Sequence, residues 1–155
     1  MKTCCFTGHR IIKITPELVQ GLRGAIIGVI GKGVTEFYDG GAIGFDVLCA
    51  ETIVEMKAEY SDIKLHLLLP CPPKEQIKGW NKAQITRYEK MLNAADSVTV
   101  VSEHYTKECM KRRNQQLVEL ADCCICYCTN PRSGTGQTVR MAKDKGIDII
   151  NLFSG

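Results

Sequence analysis

Thr35-Glu36-Phe37-Tyr38-Asp39-Gly40-Gly41-Ala42-Ile43-Gly44-Phe45-Asp46 reads as a strand, a glycine turn and the opening of a helix in direct succession. Thr35 to Tyr38 is a β-type run closed by Asp39-Gly40-Gly41, and the helix that follows is expected from about Gly44 to Tyr60. The same unit recurs outward in both directions. Upstream, a strand from Lys2 to Thr7 precedes a helix from Pro16 to about Lys32, which Thr15 can cap and whose first turn suits Pro16. Leu18, Leu22, Ile26, Val29 and Ile30 recur there at helical spacing. Gly21, Gly24 and Gly28 weaken that helix locally and are read as places where it packs closely on a sheet.

Downstream, strands at Lys64–Leu69, Ser97–Val101, Cys123–Cys128 and Asp148–Leu152 alternate with helices at about Asn81–Ala94, Thr106–Leu120 and Thr135–Lys145. Pro70-Cys71-Pro72-Pro73 is read as a rigid loop. Strands alternating with helices of this length imply right-handed βαβ units and a mainly parallel sheet, hence an α/β fold. With 155 residues and no linker, repeat or low-complexity tract, residues 1–155 are expected to form one domain.

Composition narrows the function classes. Hydrophobic residues make up 45% and charged residues 24%, a globular balance that argues against disorder. A net charge of +3 is too weak to indicate a nucleic-acid binder without other signals. No apolar run approaches the roughly 20 residues of a membrane span. The start of the chain lacks the apolar region and cleavage site of a secretory signal. A cytoplasmic location is therefore expected, with no membrane partner. Nine cysteines, an odd number, argue against a disulfide framework. In Cys123-Cys124-Ile125-Cys126-Tyr127-Cys128 they alternate as on a strand, with Cys124, Cys126 and Cys128 on one face and Cys123 on the other. They are read, like Cys4 and Cys5, as buried thiols rather than a metal or redox site.

In a parallel sheet the loops that follow the strands open on one edge, where ligands bind. Thr7-Gly8-His9-Arg10 is the first such loop. Gly8 permits a sharp turn and close approach, His9 can donate to a ligand or carry a proton, and Arg10 can fork onto a phosphate. The second, Gly40 to Asp46, is the strongest signal. Its glycines at 40, 41 and 44, with Ala42, offer backbone N–H groups beside a helix N-terminus, the makings of an anion cradle. Its spacing matches neither the dinucleotide fingerprint nor the Walker A loop. Asp46 would repel a phosphate there, and is read as a helix cap or as an acceptor for a ribose or base. The third, Pro131-Arg132-Ser133-Gly134-Thr135-Gly136-Gln137-Thr138, again joins glycines, hydroxyls and a helix start. In the loop after strand four, Tyr105 could stack on a base, although a plain surface turn reads equally well. The polar stretch Lys111 to Gln116 reads as a solvated face, apart from Asn114 as a possible ligand contact.

Four stretches together, Cys5-Phe6-Thr7-Gly8-His9-Arg10, Asp39 to Asp46, Arg113-Asn114 and Ser133-Gly134-Thr135-Gly136, resemble the YpsA/YoqJ-like branch of the SLOG superfamily. That superfamily groups the DNA-processing protein DprA with the LOG phosphoribohydrolases. The resemblance covers essentially the whole chain and implies a Rossmann-like three-layer α/β/α fold and a nucleotide or nucleotide-derived ligand. LOG enzymes carry a Pro-Gly-Gly-x-Gly-Thr stretch followed closely by glutamates. Here Gly134-Thr135 matches only its end, and Gln137 and Thr138 stand where the acidic residues would be. Asp46, Glu51 and His9 are left as acid/base candidates.

The leading expectation is a binding or sensor module for a nucleotide-like small molecule, with no cofactor and no metal. Its contacts would be Gly8, His9, Arg10, Gly40, Gly41, Ala42, Gly44, Asp46, Asn114, Ser133, Gly134, Thr135 and Gly136. A hydrolase of an N-glycosidic or phosphate bond is the alternative. Single-stranded nucleic-acid binding, by analogy with DprA, ranks third. A homodimer is a further expectation.

Overall fold

The computed structural model describes residues 1–153. Six strands, β1 (Thr3–Gly8), β2 (Glu36–Asp39), β3 (Lys64–Leu69), β4 (Ser97–Val100), β5 (Cys123–Tyr127) and β6 (Asp148–Asn151), form one sheet in the order β4-β3-β2-β1-β5-β6. Every pairing is parallel. The helices are α1 (Pro16–Gly31), α2 (Phe45–Met56), α3 (Pro73–Gln76), α4 (Lys82–Ala94), α5 (Cys109–Leu120) and α6 (Gly134–Lys145).

The chain builds outward from β1 to β4, then crosses back to lay β5 on the other side of β1. Right-handed crossovers place helices on opposite faces when the direction of travel reverses. Accordingly α1, α2 and α4 cover one face through Leu22, Ile26, Phe45, Ile53, Tyr88 and Met91. Helices α5 and α6 cover the other face through Leu117, Val118 and Ala142. This is a three-layer, Rossmann-like α/β/α arrangement. Its switch point lies between β1 and β5, whose ends align with Gly8 opposite Tyr127.

Strand alternation sorts the cysteines as expected. Cys4 and Cys123 join the first core, while Cys5, Cys124 and Cys126 join the second, with Cys128 packed against it. All nine cysteines are free thiols. The Thr15 hydroxyl accepts the Leu18 N–H at 3.1 Å, capping α1 as the Thr-Pro pair foretold.

Three expectations change. Gly21, Gly24 and Gly28 do not face the sheet: they are exposed, and a Cβ at Gly24 or Gly28 would meet nothing within 4 Å. The buried stripe of α1 is Leu18, Leu22, Ile26 and Val29. The loop read at Pro70–Pro73 passes at Pro73 into a short helix, α3 (Pro73–Gln76), since proline suits a first helical turn. Helix α5 starts at Cys109 rather than Thr106, with no side chain capping its first N–H groups. Among the described residues no helix is long and apolar enough to cross a membrane.

Candidate functional site

A cavity of about 290 Å³ lies at the carboxyl edge of the sheet. Gly8 reaches it from the end of β1 and Arg10 from the loop beyond, Ala42 from the loop after β2, Asp46 from the first turn of α2, and Gly134 and Thr135 from the start of α6. Tyr105 and, from α5, Met110, Arg113 and Asn114 complete the wall. Segments far apart in sequence thus meet where the strand order reverses.

Backbone contacts hold the loops together. The Phe45 N–H donates to the His9 carbonyl at 3.1 Å. Gly44, at φ +82°, lies under the first loop so closely that a Cβ would sit 2.3 Å from the Arg10 carbonyl oxygen. The His9 Nε2 accepts the Thr129 N–H at 2.9 Å, joining the loops after β1 and β5. His9 is therefore a tie between loops: its Nε2 is occupied as an acceptor, and it does not line the cavity.

Beneath the cavity lies a buried charged cluster. Asp39 is wholly buried, with Asp46 and Arg113 each 5% exposed. The Asp39 Oδ1 accepts the Gly41 N–H at 2.8 Å, and the Asp46 Oδ2 accepts the Ala42 N–H at 3.2 Å. Two of the amides that the sequence offered to a phosphate, those of Gly41 and Ala42, are thus held by the protein's own carboxylates. Asp39 and Asp46 fold back onto the second loop and occupy its middle from within. Gly40 admits the Arg113 guanidinium, which donates to the Gly40 carbonyl through Nη1. Arg113 also donates through Nε to the Asn114 Oδ1 at 2.8 Å, fixing that amide beside the cavity. The Asp39 Oδ2 is buried without a hydrogen-bond partner.

Burial, and then the neighbouring Asp46, push the Asp39 carboxyl well above the usual carboxylate range. Burial raises Asp46 to about 6, against the opposing pull of Arg113, the Ala42 N–H and Arg10. Arg113 is lowered by burial and supported by both carboxylates. The cavity wall therefore carries Arg10 and Arg113 against a carboxyl that is protonated in mildly acidic solution.

The third loop divides. Gly134 and Thr135 line the cavity with N–H groups of the first helical turn, which lack intrahelical acceptors. Ser133 is occupied as the N-cap, its Oγ accepting the Gly136 N–H at 3.0 Å, and Gly136 is packed under the Pro131 carbonyl. Gly41 faces Leu69, away from the cavity. Glu51 lies outside it, on the surface, in a two-pronged pair with Arg87 at 2.6 and 3.0 Å. Of the three acid/base candidates only Asp46 reaches the cavity.

Arg113 and Asp39 stood in the sequence only within the stretches that carry the family resemblance, and neither was among the expected ligand contacts. A signal existed for Arg113: it lies four residues from both Cys109 and Leu117, on the buried stripe of α5. Asp39, by its own chemistry, showed only as a turn residue at the head of its stretch.

The fold and this crevice define a Rossmann-like α/β/α domain with a charged cavity at its switch point. The YpsA family model, the YspA SLOG family, matches residues 9–147, and the chain belongs to that family. Similar curated proteins include UPF0398 proteins of Bacillus thuringiensis (strain Al Hakam) and Bacillus cereus (strain AH187). Each is 28% identical over 138 residues, covering 87% of this chain and 73% of its own length. Among solved structures, the DNA processing protein A of Helicobacter pylori, known for its single-stranded DNA binding mode, superposes with a TM-score of 0.64. DprA from Streptococcus pneumoniae gives 0.67. Both are 18% identical and cover 96% of this chain, which supports the likeness of fold. The chain spans 63% and 49% of those two proteins.

Proposed function

We propose that the switch-point cavity binds a nucleotide or nucleotide-derived phosphate ligand, and that the protein acts as a binding or sensor module. The observation that carries this reading is the convergence of Arg10, Asn114 and the first turn of α6 on one cavity floored by Arg113. Two arginines and helix-start amides suit a phosphate, and Asn114 suits a sugar or base edge. A thermal-shift screen with AMP, ADP-ribose and nucleotide sugars tests it. Saturable binding should raise the melting temperature by several degrees, and Arg10→Ala should abolish most of the rise. No shift with any phosphorylated nucleoside would sink the reading.

Asp46 favours a second possibility, hydrolysis of an N-glycosidic or phosphate bond. It is the one expected acid/base candidate on the cavity wall, and a carboxyl near 6 can exchange a proton close to neutral pH. Release of base or phosphate by the native protein, but not by Asp46→Asn, would establish it. The likeness to DprA, with the exposed Tyr105 beside Arg10, supports a third possibility, single-stranded nucleic-acid binding. A gel shift with oligothymidylate that weakens steeply with salt is its signature. The unbridged thiols suit the reducing cytoplasm, where the protein is proposed to act. The homodimer is tested by sedimentation velocity over a range of concentrations.

A further inference from the structure

We infer that the site has a second, aromatic subsite, so that its ligand is a nucleoside diphosphate conjugate rather than a lone phosphosugar. This rests on the nucleotide reading above and extends it. Beside the switch-point cavity lies another of about 280 Å³, walled in part by Trp80, Glu75 and Lys78. The two cavities share Arg10, Tyr105 and Met110, so they form one groove with Arg10 at the junction. Each alone is at or below the small end of sites that hold organic ligands, roughly 300–1,000 Å³. A two-part ligand would occupy both.

The chemistry of the second wall indicates which part it takes. Two of its polar side chains, Gln76 and Glu75, are engaged within the protein, and Lys78 is exposed at its rim. The Gln76 amide donates to the Gly41 carbonyl at 3.3 Å and accepts the Tyr88 hydroxyl at 2.7 Å. The Glu75 Oε1 accepts the Tyr105 N–H at 2.9 Å, and its Oε2 faces His104 at 3.6 Å. What remains toward the groove, beside Lys78 and Arg10, is the pair of aromatic side chains Trp80 and Tyr105. Trp80 stands edge-on to the buried Tyr88, centroids 5.1 Å apart, which fixes the indole. Tyr105 is held by its backbone while its side chain stays exposed, the residue being 59% accessible. A fixed indole and an exposed phenol favour a planar heteroaromatic ring. Arg10, between the two cavities, is placed for the phosphates that would join ring and sugar.

Trp80 is the single tryptophan of the chain, so its emission reports on this subsite alone. The full chain is titrated with ADP-ribose and with ribose 5-phosphate, following Trp80 fluorescence and binding heat. The expected result is quenching by ADP-ribose only, with affinity about tenfold or more above that of ribose 5-phosphate. Tyr105→Ala, at an exposed position that leaves the core intact, should shrink that preference severalfold, and Tyr105→Phe should retain it. Equal affinities, with Trp80 emission unmoved, overturn the aromatic subsite and leave the phosphate site standing. Heat from neither ligand removes both. Quenching by oligothymidylate without binding of ADP-ribose overturns the small-molecule assignment in favour of a strand.

Discussion

Arg113 is the buried cation nearest in effect to the buried carboxyls of Asp39 and Asp46, and it offsets their charge at the cavity floor. Removing one member of a buried charged group leaves the others uncompensated, at about 3–5 kcal/mol. Arg113→Met is expected to lower the unfolding free energy by about that amount in urea titrations. Asp46 gives a pH signature. Its folded pKa of about 6 lies above the roughly 3.9 of an unfolded aspartate, so the folded state binds its proton more tightly. The stability this confers is complete below the unfolded value and is lost as pH rises through about 6. Between those limits the unfolding free energy should fall by an amount on the order of 2 kcal/mol, and Asp46→Asn should flatten the slope. Binding of a diphosphate ligand should strengthen over the same interval as pH is lowered, because protonation removes the negative charge nearest the ligand. Calorimetry at pH 5 and 7.5 reads this.

Helix α1 shows how far periodicity reaches and where it stops. Its apolar spacing, its Thr15 cap and its start at Pro16 were legible, because each depends on neighbours within a turn. The role of its glycines was not: a glycine leaves the same mark in a sequence whether it faces a sheet or water. Gly24 and Gly28 face open space with negative φ, so Gly24→Ala and Gly28→Ala should each raise stability by about 0.5–1 kcal/mol, measured by denaturant midpoint. Helix α5 failed in the opposite sense. The run Lys111-Arg112-Arg113 reads as solvated, yet Arg113 is drawn inward by a partner in the loop after β2, 73 residues away. At the far end of α5, the Lys145 ammonium donates to the carbonyls of Val118, Glu119 and Ala121 at 2.7–2.9 Å. Lys145→Met should cost about 1–2 kcal/mol in the same assay, by leaving those terminal carbonyls without their donor.

Across the molecule the thiols record how completely the sheet is covered. Eight of the nine cysteines are buried and Cys128 is partly accessible. A thiol reagent should therefore label about one site rapidly in the native protein and all nine after unfolding. Faster labelling of several sites would mean that the helical layers open readily.

Strand and helix periods, turn glycines and the alternation of cysteines are local patterns, and they sufficed for an α/β chain with a parallel sheet and functional loops on one edge. The occupancy of those loops was decided elsewhere. Whether an amide is open to a ligand depends on what the folded chain brings to it. Here Asp39 and Asp46 turned back onto the glycine loop, Arg113 reached the Gly40 carbonyl from α5, and His9 met the Thr129 N–H 120 residues away. Buried polar groups must find partners wherever packing puts them, and that pairing is a property of three-dimensional proximity that no spacing along the chain encodes.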